Sequence, residues 1–353
     1  MPPKQFFRIA VLPGDGIGPE VTDAGVSILR AVESRLTATA FELTSFRVGA
    51  EEYRRGGDPL PPDTFRQLES FDAILLGAMG LPGVRWPDGV EMTPQLDLRE
   101  KLDLYCGLRP TFLYHPDHSP LRNKQAGSID FLLVRESTEG LFFSRKQKTP
   151  PDAAYAEDTM RITRTGAERV VRAAFHEAQR RRGHLSLVDK ANVLPSMAYF
   201  RCVFDEIAEE FPAIGTDRIY VDAAALFLVQ RPESFDVLVT ENMFGDILSD
   251  LAAGLVGGMG MAPSADIGDR YAVFQPAHGS APDIAGKGCA NPVATILSVA
   301  MMLEWFGTPE TRGAAASIRA ATATVLSDPA ARTRDLGGVL GTNEMLRLIA
   351  GAL

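Results

Sequence analysis

Asp246 and Asp250 lie four residues apart in the stretch Thr240-Glu-Asn-Met-Phe-Gly-Asp-Ile-Leu-Ser-Asp250. On a helix this spacing projects both carboxylates from one face. Two like charges that close repel unless a cation lies between them, and hard oxygen donors with room left for a substrate suit Mg2+ or Mn2+ better than zinc. The competing explanation is a pair that only compensates the dipole at a solvated helix start. Other charged groups favour the metal. Arg135, Lys190 and Asp222 each follow an apolar run that reads as a buried strand, and Arg99 and Arg109 flank a helix–strand junction upstream. In open α/β sheets the carboxyl edge of the strands is where ligands bind. Three arginines, a lysine and three aspartates converging there would suit a small substrate with two or more carboxylates. Arginine clamps carboxylates in bidentate fashion, while a metal chelates an α-hydroxy acid through hydroxyl and carboxylate.

The elements that must position these groups alternate between strand and helix, which predicts an α/β fold with parallel strands. Apolar runs place strands at Arg8–Pro13, Phe41–Val48, Ala73–Gly77, Phe131–Arg135, Leu185–Val188, Ile219–Val221 and Phe235–Thr240. Helices are expected up to Glu33, over Asp63–Leu68, through Arg99–Leu104, over 166–182 and 197–210, from Asp246 onward, and over Pro292–Phe306. Leu108-Arg-Pro110 reads as a helix break, and Gly245 as the turn out of its strand. The glycines of Gly14-Asp-Gly-Ile-Gly-Pro-Glu20 read as a tight turn. A dinucleotide fingerprint would need a third glycine where Pro19 stands and an acidic residue closing the next strand. Residues 143–165 are polar, contain Pro150-Pro151, and fit an extended excursion from the globule.

A chain of 353 residues with 45% hydrophobic residues is long enough for two domains. Its net charge of −9 argues against nucleic acid as a partner. The basic cluster Arg180-Arg-Arg182 is expected to complement a helix dipole. Cys106, Cys202 and Cys289 are scattered without a CxxC pair, which fits a reducing cytoplasm. The amino terminus reads directly into a strand with no leader pattern, and Pro292–Phe306 is too short to span a bilayer, so no membrane association is expected.

The blocks Asn242-Met-Phe-Gly-Asp-Ile-Leu-Ser-Asp250 and Gly257-Gly-Met-Gly-Met261 resemble the isocitrate/3-isopropylmalate dehydrogenase family of metal-dependent decarboxylating 2-hydroxy-acid dehydrogenases, which includes tartrate/D-malate enzymes. Further blocks follow in family order: Leu12–Glu20, Leu98-Arg99, Leu108-Arg-Pro110, Arg135–Gly140, Asp189–Asn192, His278–Gly286, Ala290-Asn-Pro292 and Arg334–Gly338. The resemblance covers nearly the whole chain. It implies two α/β domains, a discontinuous cofactor-binding domain of 1–104 and 257–353, and a substrate, metal and dimerisation domain of 105–256 with an arm near 143–165. It implies that Arg99, Arg109 and Arg135 hold substrate carboxylates. Asp246 and Asp250 would bind the metal with Asp222 from the partner subunit of a homodimer, and Lys190, also from the partner, would transfer a proton at the hydroxyl. NAD adenosine would lie on His278, Gly279, Ser280, Ala281, Asp283 and Ile284, near Asn291. A carboxylate at Asp283 favours NAD over NADP by repelling a 2′-phosphate.

Three positions depart from the family pattern. Phe142 replaces the tyrosine that helps protonate the enolate carbon, and Gln275 replaces a glutamate near the nicotinamide end. Before Arg99, Thr93 and Gln95 resemble the polar specificity positions of isocitrate enzymes, whereas isopropylmalate enzymes are apolar at Gln95. The resulting expectation is NAD- and Mg2+- or Mn2+-dependent oxidation, with decarboxylation, of a polar 2-hydroxy di- or tricarboxylic acid of tartrate/D-malate or isocitrate type. The alternatives are a non-decarboxylating hydroxy-acid dehydrogenase, a 3-isopropylmalate dehydrogenase, or a non-catalytic regulatory subunit.

Overall fold

The computed structural model describes residues 4–353, and its frame is one mixed sheet of ten strands. The first segment supplies β1 (Gln5–Gly14), α1 (Gly18–Glu33), β2 (Thr39–Ser45), α2 (Ala50–Gly56), α3 (Pro62–Leu68), β3 (Ala73–Ala78) and α4 (Pro94–Lys101). The middle segment supplies β4 (Cys106–Phe112), β5 (Asp130–Glu136), α5 (Arg164–Gln179), β6 (His184–Asp189), α6 (Pro195–Ala208), β7 (Gly215–Tyr220), α7 (Val221–Gln230), β8 (Val237–Thr240) and α8 (Asn242–Gly254). The last adds the hairpin β9 (Pro263–Ile267) and β10 (Ala272–Pro276), then α9 (Val293–Phe306), α10 (Pro309–Leu326) and α11 (Thr342–Ala352).

The strand order is β2-β1-β3-β10-β9-β4-β5-β8-β6-β7, so the late hairpin is inserted between β3 and β4. Both faces of the sheet are covered, which explains why β3 is buried at every position and reads as an unbroken apolar run. On one side of the first half, Ile9, Leu75 and Phe274 pack under Ile28, Ile296 and Ile318. On the other, Leu12 and Leu76 pack with Leu98 and Leu104. The middle segment builds its own core, with Leu187 under Phe175 and Phe204 on one face and Phe131 and Leu238 under Leu248 on the other. The seam between the halves is the antiparallel pairing of β4 with β9, in which Gly107 lies opposite Asp266.

Several local expectations need correction. Leu108-Arg-Pro110 does not break a helix but lies inside β4. The missing Pro110 N–H is tolerated because pairing with β9 covers only Cys106 to Leu108. Asp222 does not end a strand; it lies in the first turn of α7. Gly245 lies within α8 rather than at a turn. A Cβ there would come within 2.7 Å of the Arg135 side chain, so glycine is what lets that arginine cross the helix. The turn itself is made by Glu241, whose carboxylate caps α8 by accepting the Phe244 N–H at 2.6 Å. Arg181 goes beyond dipole compensation, reaching Asp236 at 2.9 Å and Asp130 at 2.7 Å.

Tight-turn chemistry at Gly14–Glu20 has a concrete cause. The buried Asp15 carboxylate accepts the N–H groups of Ala50, Glu51 and Gly80 at 2.8–2.9 Å, tying the first loop to α2 and to the loop after β3. Gly16, at φ +60°, lies so close to the Ser280 carbonyl that a Cβ would stand 1.9 Å from its oxygen.

Between β4 and β5, His118 is buried with neither ring nitrogen hydrogen-bonded. Burial, reinforced by His115 and Arg332, pushes its imidazole down to about 4. The folded state therefore keeps His118 neutral while the unfolded chain takes a proton below about pH 6.5. Its contribution is fully present above that value and lost as pH falls toward 4, about 2–3 kcal/mol in all. Denaturant titrations at pH 7 and 4.5 should show a smaller acid-induced loss of stability for His118→Leu than for the parent chain.

Candidate active site

An open cavity of about 330 Å³ lies beyond the carboxyl ends of β3 and β5, between α4 and α8. Arg99 reaches it from the last turn of α4, Arg109 from β4 and Arg135 from the end of β5. All three are buried. Arg135 donates from Nε and Nη2 to the Asn242 side-chain oxygen at 2.9 and 2.7 Å and pairs with Asp246 through Nη1. Arg99 donates from Nε to Asp266 Oδ2 and Arg109 from Nη2 to Asp266 Oδ1, both at 3.0 Å. Burial and then the Arg99 charge lower the Arg135 guanidinium to about 10, which leaves it charged at neutral pH. Burial alone would raise the Asp266 carboxyl, but Arg109, Arg99 and Arg135 outweigh it and hold it at about 2.

Asp246 and Asp250 line the same cavity one helical turn apart. Burial and then the charge of Asp246 raise the Asp250 carboxyl, the repulsion expected between neighbouring carboxylates. This donor set fits a divalent cation. Among the described residues of one chain, however, no third carboxylate joins the pair. Asp222 is exposed and accepts from Lys190 Nζ at 2.6 Å, and neither residue lines the cavity. The expected base and third ligand are thus brought to each other, but not to the other five charged groups.

Gln95 lines the cavity, and its side-chain oxygen is buried without a partner. Thr93 begins α4 without making a capping bond. Of the cofactor candidates, His278 and Gly279 line the cavity, and His278 Nε2 is buried and unpartnered, an orphaned polar atom that fits a bound group. Ser280 is buried and donates to the Gly80 carbonyl, while Ala281 takes φ +36°. Asp283 is exposed. Ile284 packs toward Ile17 and Val21. Asn291 is committed internally, donating to Asp335 at 3.0 Å and accepting the Val293 N–H at 3.0 Å. Phe142 forms a wall of the cavity, with the Arg135 guanidinium carbon 5.2 Å from its ring centre. Asp266 escaped sequence reasoning, since it is an isolated aspartate whose partners lie far away in the chain.

This mixed α/β fold sets three arginines and paired carboxylates at one strand edge, a site suited to a small acid with two or more carboxylates. The chain belongs to the isocitrate/isopropylmalate dehydrogenase family, whose pattern it matches over residues 8–349. It is 46% identical to a 3-isopropylmalate dehydrogenase of Moorella thermoacetica, over 98% of each chain, and 44% identical to that of Aquifex aeolicus, over 85% of this chain and 84% of that one. Among solved structures it is similar to an isocitrate dehydrogenase of Methylococcus capsulatus, at 37% identity and a TM-score of 0.87, covering 98% and 99% of the two chains. The protein is an oxidoreductase that acts on a CH–OH group with decarboxylation and uses NAD and a divalent metal. These sequence relatives are named for 3-isopropylmalate and not for the tartrate- or isocitrate-like substrate expected from Gln95 and Thr93.

Proposed function

We propose that the protein oxidises and decarboxylates 3-isopropylmalate. The observation that carries the reading is the convergence of Arg99, Arg109 and Arg135 with Asp246 and Asp250 on one cavity. That set matches a 2-hydroxy acid with two carboxylates, and the relatives' names narrow the choice. Leu96 and Phe142 supply apolar wall for an isopropyl group. The arginines orient the carboxylates, and Asp246 and Asp250 hold the cation. When bound, the cation stabilises negative charge on substrate oxygens and NAD accepts the hydride. We assign Lys190 to the proton at the hydroxyl oxygen, and Asp222 to the metal, across the interface of a homodimer in which each copy serves its partner. Exposed Leu226 and Val229 support such an interface, because they lie four and seven residues after Asp222 on α7 and so share its face. Within each copy we place the boundary of the two domains at the β4–β9 seam, with 1–104 and 257–353 on one side and 105–256 on the other.

The remaining site assignments follow the same reading. His278 through Ile284 receive the adenosine half of NAD, near Asn291, and residues 143–165 reach to the second copy. Three free cysteines and, among the described residues, no helix long and apolar enough to cross a membrane support a cytoplasmic location.

One observation favours a second reading. The unpartnered Gln95 oxygen would accept a substrate hydroxyl, as in tartrate or D-malate, and would be wasted on an isopropyl group. NADH formation and CO2 release with Mn2+ and NAD should be compared across 3-isopropylmalate, D-malate, tartrate isomers and isocitrate. A preference for 3-isopropylmalate supports the first reading, and a preference for a hydroxylated diacid replaces it. In the first case Gln95→Leu should raise kcat/KM for 3-isopropylmalate by about 5- to 100-fold, since it removes a buried amide oxygen that has no partner there.

A further inference from the structure

Asp266 lies on β9 with no exposed surface, and both its oxygens are engaged. Oδ2 accepts from Arg99 Nε at 3.0 Å and from Gln275 Nε2 at 2.9 Å, and Oδ1 accepts from Arg109 Nη2 at 3.0 Å. The Ser137 hydroxyl stands 3.4 Å from Oδ1. One carboxylate therefore joins α4, β4, β9 and β10 at the seam of the sheet. Gly107, opposite it, makes room, since a Cβ there would stand 3.1 Å from Oδ1.

The geometry leaves the arginines little other definition. The Arg99 side chain makes no other hydrogen bond among the described residues, so its anchored Nε sets where its terminal nitrogens point. Arg109 spends Nη1 on the Leu108 and Ala265 carbonyls, and Asp266 fixes the remaining edge of its fork. We propose that Asp266 and Gln275 are a coupled positioning pair, in which the carboxylate aims Arg99 and Arg109 into the cavity and the amide holds that carboxylate by donating to it. The proposal rests on the dicarboxylate reading of the cavity.

With an ionised carboxylate at Asp266, position 275 requires an amide. A carboxylate there would face another about 3 Å away, so one of the two would have to take a proton or move off its arginine. The ionisable groups around Asp266 are Arg99 from α4, Arg109 and the Cys106 thiol from β4, and Arg135 from β5; Ser137 and Gln275 are neutral. The arginines outweigh burial and keep Asp266 ionised, so a second acid at 275 would be the group left protonated or displaced.

The test compares Gln275→Glu, Asp266→Asn and the double variant Asp266→Asn/Gln275→Glu, which moves the single carboxylate to the other side of the pair. For Gln275→Glu, KM for 3-isopropylmalate should rise at least about 10-fold with kcat changed much less. Its melting temperature should also fall more steeply than the parent's between about pH 5 and 8, as the second carboxylate ionises. The double variant should bring KM back to within about 3-fold and restore the parental slope. Rescue of folding by the double variant, should Gln275→Glu fail to fold, supports the pair equally. Parental KM and slope in Gln275→Glu, or a double variant no better than the worse single one, would overturn it. The melting profiles need no substrate. A protein inactive on 3-isopropylmalate would therefore count against the substrate assignment, while the profiles still decide on the pair.

Discussion

Lys190→Met and Asp246→Asn should each lower kcat by about 10²- to 10⁴-fold, and mixing the two inactive proteins should restore about a quarter of parental activity. The single losses follow from chemistry. Lys190 is assigned to the proton on the hydroxyl oxygen, and Asp246 is one of two cavity carboxylates able to hold the cation. The recovery follows from placement. Lys190 bonds Asp222 outside the cavity that contains Asp246, so in the proposed homodimer a complete site would draw residues from two copies. After subunit exchange, half of the dimers carry one of each variant, and one of their two sites receives both intact halves. Refolding the variants together and assaying NADH formation makes the measurement. Parental kcat in Lys190→Met would place Lys190 outside the chemistry, and a mixture as inactive as its components would overturn the sharing of each site between two copies.

The second large effect is expected at Phe142. Its ring is in the cavity wall, against the Arg135 guanidinium, and offers no proton donor. The carbon that loses CO2 must still be protonated, so in the parent chain this late step should limit turnover. Rapid mixing should then show a burst of NADH followed by slower steady formation. Phe142→Tyr places a phenol on the same wall and should raise the steady rate by about 10²-fold, removing the burst without changing its initial rate. A parent chain without a burst, and a variant with unchanged kcat, would show that another group already delivers the proton.

How far the site could be read in advance depended on whether its spacing was local. Asp246 and Asp250 were legible because helical periodicity relates residues four apart. Arg135 was legible because an apolar run ends on it. Asp266 was not, because its partners Arg99 and Arg109 lie more than 150 residues away and nothing in Pro263-Ser-Ala-Asp-Ile267 marks a charged hub. The same limit hid the β9–β10 hairpin, two five-residue strands whose neighbours belong to the first and middle segments. At Pro110 the local rule was sound but its context was wrong, since proline is excluded only where both sides of a strand are paired. At Gly245 a turn signal was in truth a clearance for Arg135. The α/β class survived all of this because it rests on periodicity over many elements, which no single misplaced boundary can overturn.

The position of the late hairpin has a consequence for synthesis on the ribosome. The middle strands β4 through β8 can pair with one another as soon as residue 240 has emerged, because their partners are contiguous in the chain. The first strands cannot finish. β3 presents an open edge until β10 arrives at residue 272, and β4 waits for β9 at residue 263. An unpaired, wholly apolar edge invites association with other nascent chains. The middle segment should therefore become protease-resistant before the amino-terminal strands do, although it is made after them.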